Sequence, residues 1–208
     1  MYLRTVRLEG DPEDLEKAIR AFDHVSMPVR RLPGCAAVAL LADRKAGRGV
    51  TLTYWETEAS LKASEETAAD ARALLTAEHD LTVIDVERYE VAVLERREPL
   101  KDGTYARLIC GRGDAQRAEK VGLGARDRTL PIVKRQKGFR SVMAGFNRRN
   151  GRVIAGSCWE TAADRQASDA ALAAMRLEVM QAAGVAEPIK VENYEVVFAD
   201  IRVAAGTA

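Results

Sequence analysis

The sequence predicts an α+β protein in which one βαββαβ unit is written twice. Three observations carry that expectation: a long internal repeat, the same order of strand-like and helical periodicities in both copies, and a composition that excludes other classes. Gly34-Cys35 through Trp55-Glu56-Thr57 aligns without a gap to Gly138-Phe139 through Trp159-Glu160-Thr161, at an offset of 104. Upstream, Gly10-Asp11 and Glu16-Lys17 recur as Gly113-Asp114 and Glu119-Lys120, and Pro28 recurs as Pro131, at 103. Downstream, Val86-Glu87-Arg88-Tyr89-Glu90-Val91 recurs as Val191-Glu192-Asn193-Tyr194-Glu195-Val196, at 105. Offsets that drift by one residue at loops are what duplication followed by small insertions leaves behind.

The 208 residues carry 32 Lys+Arg against 31 Asp+Glu, a net charge of +1, which removes the broad field that nucleic-acid and acidic-membrane binders rely on. No run of about 18 apolar residues is present, and Met1-Tyr2-Leu3-Arg4 leads straight into folded sequence with no expected signal peptide. Three cysteines do not make a disulfide framework, and two histidines leave little for a metal centre. The expectation is a cytoplasmic globular chain without metal.

Each repeat reads strand, helix, strand, strand, helix, strand. Tyr2 to Leu8 is a short β-like run. Asp11-Pro12-Glu13-Asp14 starts a helix with an N-cap acid and a first-turn proline, and Leu15, Ile19 and Phe22 then share a face. Pro28 and Pro33 are expected to break that helix before Gly34, and Cys35 to Ala42 is an apolar strand. A Gly- and Arg-rich turn at 45–49 leads into Val50 to Glu56, and Asn150-Gly151 makes the same hairpin turn in the second copy. Glu58 to Glu78 is an Ala-rich helix and Thr82 to Leu94 the last strand. The linker Glu98-Pro99-Leu100-Lys101-Asp102-Gly103 divides the repeats at 1–99 and 100–208, and Ala204 to Ala208 reads as a frayed tail.

A βαββαβ unit is the ferredoxin-like arrangement. A strand ending in Trp-Glu-Thr and entering an Ala-rich helix, with Pro-Gly ahead of the second strand, resembles the antibiotic biosynthesis monooxygenase (ABM) family. The resemblance covers nearly the whole chain. It implies two tandem ferredoxin-like repeats packed as an intramolecular version of the family's dimeric α+β barrel. It further implies a cofactor-independent monooxygenase acting on an aromatic small molecule. The haem-degrading branch of the superfamily uses an Asn on the first strand and a Trp and a His on the last helix. Ser64 and Leu74, or Ser168 and Glu178, stand at the helix positions and neither first strand holds an Asn, so no haem and no other cofactor is expected. The family's oxygenases share the strand Trp, here Trp55 and Trp159. They also carry an Asn four residues earlier and a Tyr about six later, where this chain has Thr51 and Leu61, or Ala155 and Arg165.

Differences between the repeats locate the expected site. Leu15, Ile19 and Phe22 become Ala118, Gly122 and Ala125, and Leu52 and Tyr54 become Gly156 and Cys158. Five large side chains thus become small ones on faces that meet in this fold, and each such change costs about 2–5 kcal/mol unless the volume is refilled. Either a ligand occupies the space, or Phe139, Met143 and Phe146 (in place of Cys35, Ala39 and Ala42) refill it. The expected substrate-binding residues are therefore Trp159, Arg107, Tyr105, Cys158, Gly122 and Asn147, with Arg128 as a further polar candidate and no catalytic residue assigned. The first repeat is expected to be filled.

Other features have plain readings. Trp55 and the tyrosines Tyr89 and Tyr194 fit packing, His24 an exposed helix end, and Cys158 an inert thiol. Gly122-Leu123-Gly124 lacks the third glycine and preceding strand of a dinucleotide site. The expected partner is a small aromatic molecule, with no nucleic acid, no membrane, and assembly into a homo-oligomer left open. A non-catalytic small-molecule-binding protein on the same barrel is the alternative.

Overall fold

The computed structural model describes residues 1–98, 100–185 and 189–202. Its elements are β1 (Tyr2–Glu9), α1 (Pro12–Arg30), β2 (Cys35–Asp43), β3 (Arg48–Trp55), α2 (Glu58–Ala63), α3 (Glu65–Glu78) and β4 (Thr82–Arg96). The same order then returns as β5 (Tyr105–Arg112), α4 (Lys120–Gly124), a π-helical turn (Ala125–Thr129), α5 (Leu130–Val133), β6 (Phe139–Phe146), β7 (Arg152–Trp159), α6 (Ala162–Ala182) and β8 (Lys190–Ile201). The chain is α+β and ferredoxin-like, as its periodicities predict.

Two compact units emerge, one of residues 1–88 with 195–203, the other centred on residues 89–194. In the first, β3 pairs antiparallel with both β1 and β2, and β2 takes the end of β8 on its other edge. In the second, β7 pairs with β5 and β6, and β6 takes the end of β4. The repeat boundary in the sequence concerns the units of duplication, whereas the first compact unit takes its fourth strand from the end of β8 and the second from the end of β4 just ahead of β5. Pro99 and the tail from 204 lie outside the described residues.

Each unit has its own core. In the first, Val6, Leu8, Val38 and Leu40 from the sheet meet Leu15, Phe22 and Val25 from α1. Phe22 closes edge-on against Phe198, with ring centroids 5.3 Å apart. In the second, Val121, Phe139, Phe146, Trp159 and Leu172 lead the cluster.

Local chemistry explains the boundaries. Asp11 holds the N-cap position of α1 and Pro12 its first turn, although the Asp11 side chain makes no capping bond. Pro28 does not break the helix. It sits inside the last turn, where Arg30 Nη2 reaches back to the Asp23 carbonyl and carboxylate. Pro131, its counterpart, has no N–H to donate to the preceding turn, and the helix widens there into the π turn. The Ala-rich helix of the first repeat is interrupted at Ser64, whereas α6 runs unbroken. Thr57 and Thr161 of the two Trp-Glu-Thr motifs cap the helices that follow, each accepting a backbone N–H at 3.0 Å. Gly47 and Gly151 sit at φ +65° and +71°, where a Cβ would strike the carbonyl oxygens of Gly10 and Gly113. Those contacts tie each hairpin to the end of its first strand, since Gly10 and Gly113 donate to the Gly47 and Gly151 carbonyls at 3.0 Å.

The space expected over the second repeat's first helix is filled. A Cβ on Gly122 would lie 2.3 Å from the Ala92 Cβ, because β4 comes in against the helix. At Gly156 it would meet Leu108 at 3.1 Å and Met143 at 3.2 Å, and at Gly124 both Val179 methyls at 3.0 Å. The small residues permit close approach; they do not line a hollow. Gly122→Ala is therefore expected to destabilise the fold by about 1–3 kcal/mol through overpacking, despite alanine's better helix propensity. Chemical denaturation measures this, and an unchanged or raised stability would contradict the packing described.

Candidate functional site

A cavity opens in the first unit, between the sheet and helices α1 and α3. Alternation along β1 puts Arg4, Val6 and Leu8 on one face, and the register sets Arg4 beside Thr53 and Val6 beside Thr51. From α1 come Phe22, Val25, Ser26 and Val29, at the i, i+3, i+4, i+7 spacing of one helical face. From α3 come Ala68, Ala71, Arg72 and Leu75 at the same spacing. The space open to the centre of a water-sized sphere is about 50 Å³, and it opens to solvent at the mouth. The walls are mostly aliphatic or aromatic, with three hydroxyls and two guanidinium groups.

Arg4 is the most constrained of these groups. Its side chain is 1% exposed, and Nη2 alone makes every bond: to the Leu61 carbonyl at 2.9 Å, Ser64 Oγ at 2.9 Å and Glu65 Oε2 at 3.0 Å. The Ser64 hydroxyl donates to the same Leu61 carbonyl at 2.7 Å. This doubled demand on one carbonyl falls where α2 gives way to α3. Arg4 Nε and Nη1 are buried without a partner, as is Arg72 Nη1. Burial lowers the Arg4 pKa, Glu65 opposes that, and the nearby Arg72 and Arg88 charges add to the lowering. Burial also opposes ionisation of Glu65, yet the Arg88 and Arg4 guanidiniums outweigh it and hold its carboxyl below the usual carboxylate range.

Trp55 is fully buried beneath this layer, its Nε1–H donating to Thr53 Oγ1 at 3.0 Å and Arg4 lying 5.8 Å from its ring. The second repeat copies the frame. Arg107, also 1% exposed, donates to Ser168 Oγ at 3.0 Å and to the Arg165 carbonyl, and pairs with Asp169 at 3.0 Å. Trp159 Nε1–H donates to Ser157 Oγ at 3.0 Å.

The residues expected to bind substrate are dispersed by the structure. Arg107 is held by the partners just given through Nη1 and Nη2, with Nε buried and unpartnered. Trp159 is fully buried, with its ring edge-on to Phe139 at 6.0 Å. Cys158 is half-buried, and burial pushes its thiol up to about 11 against the opposing Ser141 hydrogen bond, which disfavours the thiolate. Asn147 is a hairpin residue whose Oδ1 accepts from the Arg149 N–H at 2.9 Å. Arg128 pairs with Glu178 at the surface. Tyr105 is half-buried at the start of β5, in register with Trp159, and Gly122 packs on Ala92. Sequence reasoning singled out Arg107 but not Arg4 or Arg72. The signal was available, since Tyr2-Leu3-Arg4 recurs as Tyr105-Ala106-Arg107 and Arg72 as Arg176.

Among the described residues no group of three or more His, Cys, Asp or Glu side chains is placed to hold a metal ion. None of their helices is long and apolar enough to cross a membrane.

Comparison with known proteins agrees with this architecture. Residues 1–73 match the family model described as antibiotic biosynthesis monooxygenase. An uncharacterized protein of Mycobacterium tuberculosis is 25% identical over 162 residues, which is 77% of this chain and 72% of the relative. A second uncharacterized protein of that organism is 32% identical over 111 residues, 51% of this chain and 45% of the relative. Among solved structures, a candidate monooxygenase from Fusobacterium nucleatum superposes with a TM-score of 0.71 at 12% identity, covering 100% of this chain and 96% of the other. One from Lactobacillus acidophilus gives 0.69 at 12% identity, covering 100% and 99%. An anthrone oxidase-like protein gives 0.66 at 17% identity, covering 100% and 96%. At these identities the structures establish a shared fold.

The lowered Glu65 carboxyl gives a pH signature. Its stabilisation is present above the unfolded carboxylate pKa and is lost as pH falls through the lower folded value. Glu65→Gln is expected to lower stability at neutral pH and to flatten its acid limb, so that the variant and wild-type curves converge in acid. Thermal melts across the acid range check this, and an unaltered acid limb would show that the carboxylate is not held by Arg4 and Arg88.

Proposed function

We propose that this chain, which carries an antibiotic biosynthesis monooxygenase domain over residues 1–73, is a cofactor-independent monooxygenase-like protein. Its site is the first-repeat cavity, which takes a planar aromatic small molecule. The observation that carries the reading is the cavity itself: largely apolar walls open at the mouth, with a buried guanidinium at the β1 side. The likeness to an anthrone oxidase-like protein supports an aromatic substrate class. This location replaces the second repeat, whose expected space is occupied by Ala92, Met143 and Val179.

A cofactor-free oxygenation needs an electron-rich phenol as its anion, so that the ring can reduce dioxygen directly. No carboxylate, histidine, tyrosine or cysteine lines the cavity. The chain's contribution is therefore electrostatic. A cation within about 4–6 Å lowers a phenol pKa by about 1–3 units, and the low-dielectric walls around Arg4 strengthen that effect. Phe22, Val25 and Leu75 exclude water from the ring, and the Thr51 and Thr53 hydroxyls offer orienting hydrogen bonds.

A second reading, a non-catalytic binding protein, has a specific observation in its favour. Thr51 and Leu61 stand where the resembling oxygenases carry an Asn and a Tyr, and Leu61 is buried with its carbonyl committed to Arg4. Oxygen uptake with anthrones and naphthohydroquinones separates the two. The enzyme reading expects uptake above the protein-free rate, reduced at least about tenfold by Ala71→Met, which narrows the cavity. Binding of these compounds without uptake would leave only the second reading.

A further inference from the structure

The two repeats hold the same pair of arginines in different states. In the second repeat Arg107 and Arg176 share one carboxylate: Asp169 Oδ2 lies 3.0 Å from Arg107 Nη2, and Asp169 Oδ1 lies 3.1 Å from Arg176 Nη2. Each guanidinium takes one oxygen, so one carboxylate of the chain bridges the pair and offsets one of its two charges. In the first repeat the equivalent acid is Glu65, and it turns the other way. Its oxygens go to Arg4 at 3.0 Å and to Arg88 at 2.7 Å. The second repeat has Asn193 in place of Arg88, so nothing there draws the acid off. Arg72, the counterpart of Arg176, is left with Nη1 buried and unbonded, while Arg4 keeps Nη1 and Nε unbonded at 1% exposure. Both line the cavity, and each feels the other's charge.

Glu65 is the carboxylate that Arg4 and Arg88 share, so the buried Arg4 and the half-buried Arg72 leave positive charge in excess beside an apolar cavity. The second repeat shows which anion satisfies the pair. We infer that the first-repeat cavity binds an organic carboxylate on a flat apolar body, its two oxygens divided between Arg4 and Arg72 as those of Asp169 are divided between Arg107 and Arg176. The inference rests on the cavity being the ligand site and specifies the substrate class it takes.

The packing around the pair agrees. Ala68 and Ala71, which leave room beside Arg72, become Leu172 and Met175 in the second repeat. The repeat with the internal carboxylate thus also has the larger side chains in the ligand's place. The repeat without it has the hollow. Thr51 and Thr53, on the cavity floor, become Ala155 and Ser157, so the first repeat keeps the more polar strand beneath its opening.

Calorimetry with 2-naphthoate and its neutral analogue 2-naphthylmethanol tests this on the intact chain. Wild type is expected to prefer the carboxylate by about tenfold or more, the scale of one or two charge-assisted hydrogen bonds. Arg72→Gln is expected to remove that preference while leaving the alcohol's affinity nearly unchanged. Ala71→Met is expected to weaken both probes. Equal binding of the two probes, or naphthoate binding indifferent to Arg72→Gln, overturns the carboxylate inference while the cavity reading stands, provided Ala71→Met still weakens both. Binding of neither probe, or binding untouched by Ala71→Met, overturns the cavity reading and the inference together. Melting temperature supplies a second readout. Arg72→Gln removes a half-buried charge in excess and is expected to keep or raise Tm, whereas Arg176→Gln breaks a pair and lowers it. A loss of Tm in Arg72→Gln equal to that in Arg176→Gln also overturns the inference.

Discussion

A guanidinium buried on the first strand of each repeat organises what surrounds it. Taking such a cation out of water costs several kcal/mol unless hydrogen bonds and countercharge replace its hydration. Arg4 and Arg107 obtain them from one helix turn each: a backbone carbonyl (Leu61 or Arg165), a serine hydroxyl (Ser64 or Ser168) and an acid (Glu65 or Asp169). The bonds fix how closely that helix lies over the strand. Beneath, Trp55 and Trp159 are locked by hydrogen bonds to Thr53 and Ser157. The tryptophans are thereby placed as floor rather than as stacking surfaces for a ligand.

From this shared frame the repeats diverge through a few side chains. An arginine at 88 draws Glu65 away from Arg72, whereas Asn193 at the matching position leaves Asp169 to bridge Arg107 and Arg176. Alanines at 68 and 71 line the first repeat's cavity, and the second repeat has Leu172 and Met175 at the matching positions. Gly122 and Gly156, which look like missing volume when set against Ile19 and Leu52, are where backbone and neighbours move inward. A large-to-small exchange leaves a hollow only if the surroundings stay fixed. Between duplicated copies they did not.

Much of the fold was legible because it is set by short-range rules. Duplication, the strand and helix periods, the capping threonines and the left-handed glycines of the hairpins all act within a few residues. Two local features were not legible. Pro28 reads as a helix breaker, but it is held within the last turn of α1, which runs on to Arg30. The break at Ser64 has no sequence signal, and the Arg4 contact there does not explain it, since Arg107 engages α6 in the same way and that helix runs unbroken. The site was legible in part. Arg107 stands out on its strand, and comparing the repeats by residue size found where they differ. Comparison by charge would have found Arg4 and Arg72. Size alone pointed to the second repeat, where neighbours pack against the small residues, because whether small residues leave space depends on what packs against them.

The most direct measurement is a crystal structure of the intact chain with 2-naphthoate bound. The expected result is density in the first-repeat cavity, with the carboxylate within hydrogen-bonding distance of both Arg4 and Arg72, the rings against Phe22 and Val25, and the Asp169 bridge unchanged. Naphthoate bound elsewhere with the first-repeat cavity empty, or seated there with its carboxylate touching neither arginine, would contradict the assignment of the pair as the anion-binding element.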